Sequence, residues 1–215
     1  MTETTAWALD HIVVAAAELA AAETWMTGQL GVGPSGHGRH PTMGTRNALW
    51  PLDGGAYLEL VAIDPTAPHP GRPRWFGLDD VDFQATLAKG PALAGWVAEP
   101  PDALAARATL PIDAGPLERH HREALHWQLT VPKDGLPRLG GAQPHLIAWP
   151  KGITPPGRSL AGPCVKLDAL LLSCPTPETL AALPLPHRVK VVAGPPGLTA
   201  HLQGPDGRAS VLSRP

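Results

Sequence analysis

A chain of 215 residues is long enough to form one large domain or two small ones around a sizeable core. With 43% hydrophobic and 17% charged residues, the composition is globular, and a net charge of −2 leaves no basic surface for nucleic acid. No apolar run approaches the roughly 20 residues that are needed to span a bilayer.

The N-terminal segment 1–5 lacks the basic region and the apolar segment of a signal peptide. The only two cysteines, Cys164 and Cys174, are too few for a disulfide framework and lack the spacing of a metal finger. We therefore expect a soluble cytoplasmic protein that has neither a membrane nor a nucleic-acid partner.

The N-terminal part of the chain, 1–65, carries the clearest pattern of elements. A β-branched run comes first, and a helix follows in which apolar residues recur at steps of three and four. A glycine-rich polar stretch, 33–44, precedes two further strands, which are joined by the hairpin-turn signal Asp53-Gly54. The predicted elements are a strand Ala8–Ala15, a helix Glu18–Leu30, a strand Thr45–Leu52 and a strand Ala56–Ile63. We interpret this unit as a β-α-β-β-β module.

The opening strand recurs twice more along the chain. Its pattern starts at Leu9, again at Leu93 and again at Leu167, and an internal repeat outranks other indications of fold. We predict an α+β protein whose repeated βαβββ modules form curved mixed sheets around a ligand cup. The expected units are a first module 1–65, a second module 90–150 and a third, degenerate module 165–215, with connectors 66–89 and 151–164.

Two polar residues lie inside apolar strands of the first module. His11 lies in Leu9-Asp10-His11-Ile12-Val13-Val14, and Glu59 lies in Tyr57-Leu58-Glu59-Leu60. A buried imidazole or carboxylate destabilises the fold unless another group pairs with it, and such groups cluster at functional sites. The pair therefore indicates a pocket. The alternative is a His–Glu hydrogen bond that only holds the sheet together.

The module with His in its first strand and Glu in its fourth resembles the vicinal-oxygen-chelate superfamily, which includes glyoxalase I and the extradiol dioxygenases. The string from Gly38 to Leu49, followed by Tyr57-Leu58-Glu59-Leu60, looks most like the glyoxalase-like family within it. Trp127 and Trp149 also fit the second half of that family. The resemblance covers roughly the whole chain and is strongest over residues 8–65.

The resemblance implies a metal site, because in metal-using members each of two modules supplies one ligand from its first strand and one from its fourth. His11 and Glu59 occupy these places in the first module. The second module departs from the pattern, with Gly95 at the histidine position and no carboxylate in His145–Trp149. The third departs too, with Ala169 and Ser210-Val211 at the two places. A divalent metal (Zn, Fe, Mn or Ni) is therefore an expectation that rests on half of the usual ligand set.

Other residues are candidates for the same pocket. His40 is a candidate acid–base group or third ligand, and Glu59 shares the catalytic assignment. His11, His40, Arg46, Asn47 and Trp127 are expected to bind the ligand, with Arg46 able to grip a carboxylate by its planar fork. For His40 the alternative is an exposed loop histidine, and for Arg46 and Asn47 it is the stabilisation of a turn. His145 is a further substitute ligand.

Two functions stay open at this stage. One is an enzyme acting on a small oxygenated metabolite, as a metal-dependent lyase or isomerase or in a dioxygenase-like way. The other is a sequestering or resistance-type protein that uses the same cup without a metal. A homodimer, in which a second subunit closes the cup, is a further alternative, since modules of this kind commonly pair.

Overall fold

A computed structural model describes residues 6–214, which form the predicted α+β fold of repeated modules around a cup. The first module comprises β1 (Ala8–Ala16), α1 (Leu19–Leu30), β2 (Gly36–His40), β3 (Thr45–Pro51) and β4 (Tyr57–Ile63). After α2 (Val81–Leu87), the second comprises β5 (Ala92–Glu99), α3 (Ala103–Arg107), β6 (Leu117–Arg122), β7 (Leu125–Thr130) and β8 (His145–Ala148). After α4 (Pro156–Ser159), the third segment holds β9 (Lys166–Cys174), α5 (Pro177–Ala181), β10 (Val189–Ala193), β11 (Gly197–Gln203) and β12 (Ala209–Ser213).

Local sequence signals set the ends of α1. The Glu18 side chain accepts hydrogen bonds from the backbone N–H groups of the first turn, and Gly31 ends the helix in the left-handed conformation, with φ of 69°. The helix buries its apolar stripe against the large sheet through Leu19, Ala22, Met26 and Leu30. The apolar spacing therefore acts as the sequence predicts, and the helix begins at Leu19 because Glu18 is its N-cap.

The first two modules share one curved sheet of eight strands, in the order β2-β3-β4-β1-β5-β8-β7-β6. Within each module the opening strand pairs in parallel with the closing strand, β1 with β4 and β5 with β8. The opening strands β1 and β5 pair with each other in antiparallel fashion at the centre. His11 lies opposite Val97 and Val13 opposite Gly95, so equivalent positions of the two modules are related by an approximate two-fold axis.

The two ends of this sheet approach each other, so that the cup is nearly closed. Thr42, just after β2, lies with its Oγ1 3.0 Å from His120 Nδ1 on β6. The side chain of Arg122 passes directly over Gly38 of β2. We call this junction between β2 and β6 the seam. The glycine-rich stretch 33–44 is therefore not only a loop, because it contains the edge strand β2.

The connector between the modules enters the cup. Trp75 and Phe76 are buried among Val13, Val61 and Val97 on the concave face of the sheet. Phe76 has a φ of 59°, and this left-handed kink turns the chain inward.

The third segment has its own pairing. Its four-stranded sheet has the order β10-β9-β11-β12, so β9 lies between β10 and β11 and does not pair with β12. It packs on the convex side of the large sheet, where Asp53 binds the Arg188 guanidinium and the backbone N–H of Leu167. Between residues 6 and 214, no helix has both the length and the apolar character required to cross a membrane.

Candidate functional site

The concave face of the large sheet surrounds a small cavity that opens to solvent. Its walls are aromatic, formed by Trp75, Phe76, Trp127 and Trp149. The polar groups that face it are His11, His40, Asn47, Tyr57, Glu59 and Arg122. A small set of polar groups inside apolar walls is typical of a small-molecule site.

A β-bulge orients His11. Asp10 has no partner in β5, because Leu9 and His11 pair with adjacent residues of that strand, and such an extra residue re-aims the neighbouring side chains. Asp10 Oδ1 lies 2.6 Å from His11 Nδ1, and the Trp149 indole N–H donates to Asp10 Oδ2 at 2.7 Å. Since an ionised carboxylate only accepts, His11 Nδ1 carries a hydrogen and donates it. The other ring nitrogen, Nε2, points toward Glu59.

Glu59 is the centre of the polar cluster and is only 5% exposed. The Asn47 amide donates to its Oε1 at 2.6 Å. His11 Nε2 lies 3.5 Å from Oε2, and His40 Nε2 lies 3.7 Å from Oε1. Two imidazole nitrogens therefore converge on the two oxygens of one buried carboxylate.

His40 is held as a neutral imidazole. Burial lowers its pKa to about 4, and the nearby positive charge of Arg122 acts in the same direction, although Glu59 opposes both. Its Nδ1 lies 3.0 Å from Thr45 Oγ1, and the ring meets Trp75 edge-on with 4.9 Å between centroids. His40 therefore carries an unprotonated nitrogen into the cluster near pH 7.

Tyr57 lies beside His11, and the two rings stack with 4.5 Å between centroids. Burial raises the pKa of Tyr57 well above its usual range, and the negative charges of Asp10 and Glu59 raise it further. The phenol therefore stays protonated and can donate a hydrogen bond at the edge of the cavity.

A family model described as a glyoxalase-like domain matches residues 9–184. The match covers well over half of the chain and includes both modules that build the cup. This chain belongs to the glyoxalase-like domain family. No curated protein sequence is significantly similar to it.

Several solved structures are similar to this chain. A hypothetical protein from Staphylococcus aureus is 13% identical, with a TM-score of 0.53 and coverage of 81% of this chain and 72% of that one. Methylmalonyl-CoA epimerase from Mycobacterium tuberculosis is 20% identical, with a TM-score of 0.40 and coverage of 68% and 91%. A methylmalonyl-CoA epimerase in complex with methylmalonyl-CoA and NH4+ is 17% identical, with a TM-score of 0.41 and coverage of 70% and 100%. At such low identity, the likeness to the Staphylococcus aureus protein shows a shared fold and nothing further.

The register of the glyoxalase-like sheet identifies His145 as the counterpart of Glu59. Glu59 pairs with Val13 of the first opening strand, and His145 pairs with Val97 of the second. Val13 and Val97 are themselves related by the approximate two-fold axis. At the fourth-strand ligand position of the second module, where the sequence has no carboxylate, the structure therefore places a histidine.

His145 is kept out of the cavity in this structure. Its Nδ1 donates to the backbone carbonyl of Thr130 at 2.8 Å, and its buried Nε2 has no hydrogen-bond partner within residues 6–214. The Phe76 ring meets it edge-on, with 4.9 Å between centroids. Gly95, the counterpart of His11, leaves a gap that both rings border. Neither of the two family ligand positions of the second module therefore presents a metal ligand to the cavity.

The residues of the first module suit a divalent metal by chemical type. Neutral imidazole nitrogen and carboxylate oxygen are its usual ligands, and Asp10 supports His11 from behind, as outer-shell carboxylates do for metal-bound histidines. The N–O separations of 3.5 and 3.7 Å are near the ~3.4 Å between two ligand atoms on a tetrahedral ion with bonds of about 2.1 Å. Across residues 6–214, however, no three His, Cys, Asp or Glu side chains form a ready ligand group.

Apart from the substitute ligand His145, the sequence analysis assigned six residues to the site, and the cavity brings five of them together. These are His11, His40, Asn47, Glu59 and Trp127. The sixth, Arg46, alternates with Asn47 along β3 and therefore faces away, where its guanidinium pairs with Glu18 at 2.9 Å. The sequence analysis placed it in the pocket with Asn47, but adjacent strand residues point to opposite faces.

Two polar cavity groups, Tyr57 and Arg122, escaped the sequence analysis, and so did Asp10, which lies behind His11. Tyr57 precedes Glu59 by two positions, so the alternation of a strand already places both on one face. Arg122 follows His120 by two positions in the same way, and His120 is the inward member of its pair with the exposed His121. By contrast, nothing in the sequence pattern predicts the bulge at Asp10.

We expect the stability of the protein to fall as the pH drops from about 6.5 to about 4. Burial lowers the pKa of His40, His120 and His145 to about 4 each. In this window the unfolded chain binds protons that the folded protein does not, so the free energy of unfolding falls by about 1.4 kcal/mol per pH unit for each group. Urea denaturation at several pH values measures this slope.

Two variants test that assignment. His120→Asn should make the slope shallower by about one proton, whereas His121→Asn, next to it but exposed, should leave the slope unchanged. Equal slopes in the wild type and in both variants would contradict a contribution from His120.

Proposed function

We propose that this protein is an enzyme that binds a small oxygenated metabolite in the cavity and moves a proton by means of His40 and Glu59. The observation that carries the proposal is the convergence of His11 Nε2 and His40 Nε2 on the two carboxylate oxygens of Glu59. A matched pair of a neutral imidazole and a carboxylate inside aromatic walls is suited to proton transfer next to a substrate carbonyl.

The burial of the Glu59 carboxylate without a cationic partner supports a functional role for this residue. The carboxylate is buried and receives one amide hydrogen bond, while no lysine or arginine within residues 6–214 forms an ion pair with it. Burying a charge without a strong partner destabilises a fold. Proteins retain such groups chiefly at sites where stability is exchanged for function.

In this proposal the residues have separate roles. His40 accepts a proton from the substrate, because its ring is neutral near pH 7 and one of its two nitrogens is free to accept it. Asn47 fixes the orientation of Glu59, and Asp10 fixes that of His11. A divalent metal held by His11 and Glu59, with His40 as a third ligand in place of its role as base, would polarise a substrate carbonyl as a Lewis acid.

A second candidate is a binding protein that uses the same cavity without a metal. The observation that favours it is the state of the second module, in which Gly95 supplies no ligand and His145 is covered by Phe76. Catalytic zinc sites normally have three protein ligands, and only His11 and Glu59 occupy the family positions in the cavity.

Elemental analysis after dialysis against salts of Zn, Fe, Mn and Ni tests the metal. We expect the wild-type protein to retain about one ion per chain and His11→Ala to lose it, because a ligand nitrogen is removed. His126→Ala is the matched control, since His126 is exposed on β7, and it should retain the ion.

A wild-type protein that retains no ion would overturn the metal part of the proposal. Binding of 2-oxoaldehydes, catechols and related diols to the wild type and to His40→Asn then separates a metal-free enzyme from a binding protein. Turnover that is lost in His40→Asn supports the enzyme, whereas binding without turnover in either protein supports the second candidate.

A further inference from the structure

Arg122 is a cavity residue that neither of these roles uses. It is the last residue of β6, and its side chain faces the same side as His120 and Trp127. The next residue, Glu123, has a φ of 53° and begins the tight turn to β7. Arg122 therefore lies at the mouth of the cup, next to the seam.

A glycine on the opposite strand makes room for this side chain. A Cβ atom at Gly38 would overlap the Cδ and Nε atoms of Arg122. The backbone of Gly38 is ordinary extended strand, so the absence of a side chain matters here for space and not for conformation. The seam is built so that the guanidinium group can cross from β6 over β2 into the cavity.

The charge of Arg122 is not matched by a carboxylate. Nine other arginines form ion pairs with Asp or Glu side chains, whereas within residues 6–214 no such pair includes Arg122. Its one side-chain hydrogen bond there is from Nη1 to Asn47 Oδ1 at 3.5 Å, the limit of such a bond. A guanidinium has five N–H donors, so one edge with two parallel N–H groups is left to bind two acceptors.

Asn47 links this free cation to the proposed acid–base pair. Its amide nitrogen donates to Glu59 and its amide oxygen accepts from Arg122, so one amide group separates the two charges. An anion bound at Arg122 would place its neighbouring atoms beside Glu59 and His40.

We propose that Arg122 binds a carboxylate of the substrate and restricts the protein to oxygenated metabolites that carry one, such as 2-oxo and 2-hydroxy acids. This inference rests on the proposed function of the cavity. A carboxylate fits the planar fork of a guanidinium through two parallel hydrogen bonds. One unpaired arginine balances a single negative charge, which favours a carboxylate over a phosphate dianion.

Paired probes test the inference on the full chain. Phenylglyoxylate and pyruvate are compared with acetophenone and acetone, their neutral ketone counterparts, and with phenyl phosphate, by calorimetry and tryptophan fluorescence. We expect the wild type to bind each acid about tenfold to a hundredfold more tightly than its ketone. Arg122→Gln should abolish this preference while leaving ketone binding unchanged, and Arg122→Lys should restore part of it.

Arg119→Gln is the matched control, because Arg119 is an exposed arginine on the same strand, and it should keep the full preference. If the wild type binds the ketones as well as the acids, or phenyl phosphate more tightly than phenylglyoxylate, the assignment of a carboxylate to Arg122 is wrong while the cavity proposal stands. If no probe binds the wild type, the cavity proposal fails and the inference fails with it.

Discussion

Glu59→Gln is expected to lower turnover, and the affinity for a bound metal, by about a hundredfold or more while the protein stays as stable as the wild type or becomes more stable. Glutamine keeps the shape of the side chain and the oxygen that accepts from Asn47. It removes the negative charge on which His11 and His40 converge. The change therefore separates the chemistry of the site from the packing around it.

Urea denaturation and elemental analysis of the same preparation measure both effects of Glu59→Gln. Glu23→Gln is the matched control, because Glu23 lies on α1 outside the cavity and pairs only with His37. It should change neither quantity. A Glu59→Gln protein that is clearly less stable than the wild type would show that the carboxylate serves the fold, as the alternative interpretation of the His–Glu pair holds.

The sequence predicted the parts of the cup that follow from strand periodicity. The β-branched opening run, its recurrence at Leu93 and the polar residues within apolar strands were enough to place His11 and Glu59 in one pocket. The repeat is visible in the first two modules because their opening strands, β1 and β5, are buried on both faces. The sheet register explains the recurrence at Leu9 and Leu93, because the two opening strands pair with each other about an approximate two-fold axis.

Side-chain direction was the weaker part of the prediction. The sequence predicts Arg46 as a carboxylate ligand because of its planar fork, but alternation along β3 turns it toward Glu18. Arg122, from a strand of the second module, occupies the cavity in its place. Its position depends on the closure of the seam, which is a contact between chain segments that local periodicity does not encode.

Irregular backbone could not be predicted either. The bulge at Asp10 lets two consecutive residues join one cluster, against the strict alternation of a strand. The sequence around Trp75 indicates an aromatic patch that packs onto the domain, but not where it packs. The kink at Phe76 carries these rings into the cup, so the depth of the cavity is set by a segment outside both modules.

Phe76→Ala is expected to lower the free energy of unfolding by about 3–5 kcal/mol, because it removes a buried aromatic ring and leaves a cavity. Phe76 is 1% exposed and packs against His145 and the space beside Gly95. Alanine at this position keeps the left-handed backbone, so the change reports the loss of the ring and not the relief of strain. Phe76→Leu, which fills more of the space, should lose less.

The same variant, Phe76→Ala, should also expose His145 to water. Burial is the main cause that lowers the pKa of His145 to about 4, and water entering the space left by the ring should raise that pKa toward 6.5. NMR titration of the folded Phe76→Ala protein measures the shift, with Val81→Ala, at a residue that is 81% exposed, as the control that changes neither stability nor pKa. A His145 pKa that stays near 4 would mean that the ring is not its cover. A raised pKa would mean that the Phe76 ring alone separates His145 from the cavity. The second module would then still have a potential ligand, His145, at the position that corresponds to Glu59, covered by the Phe76 ring.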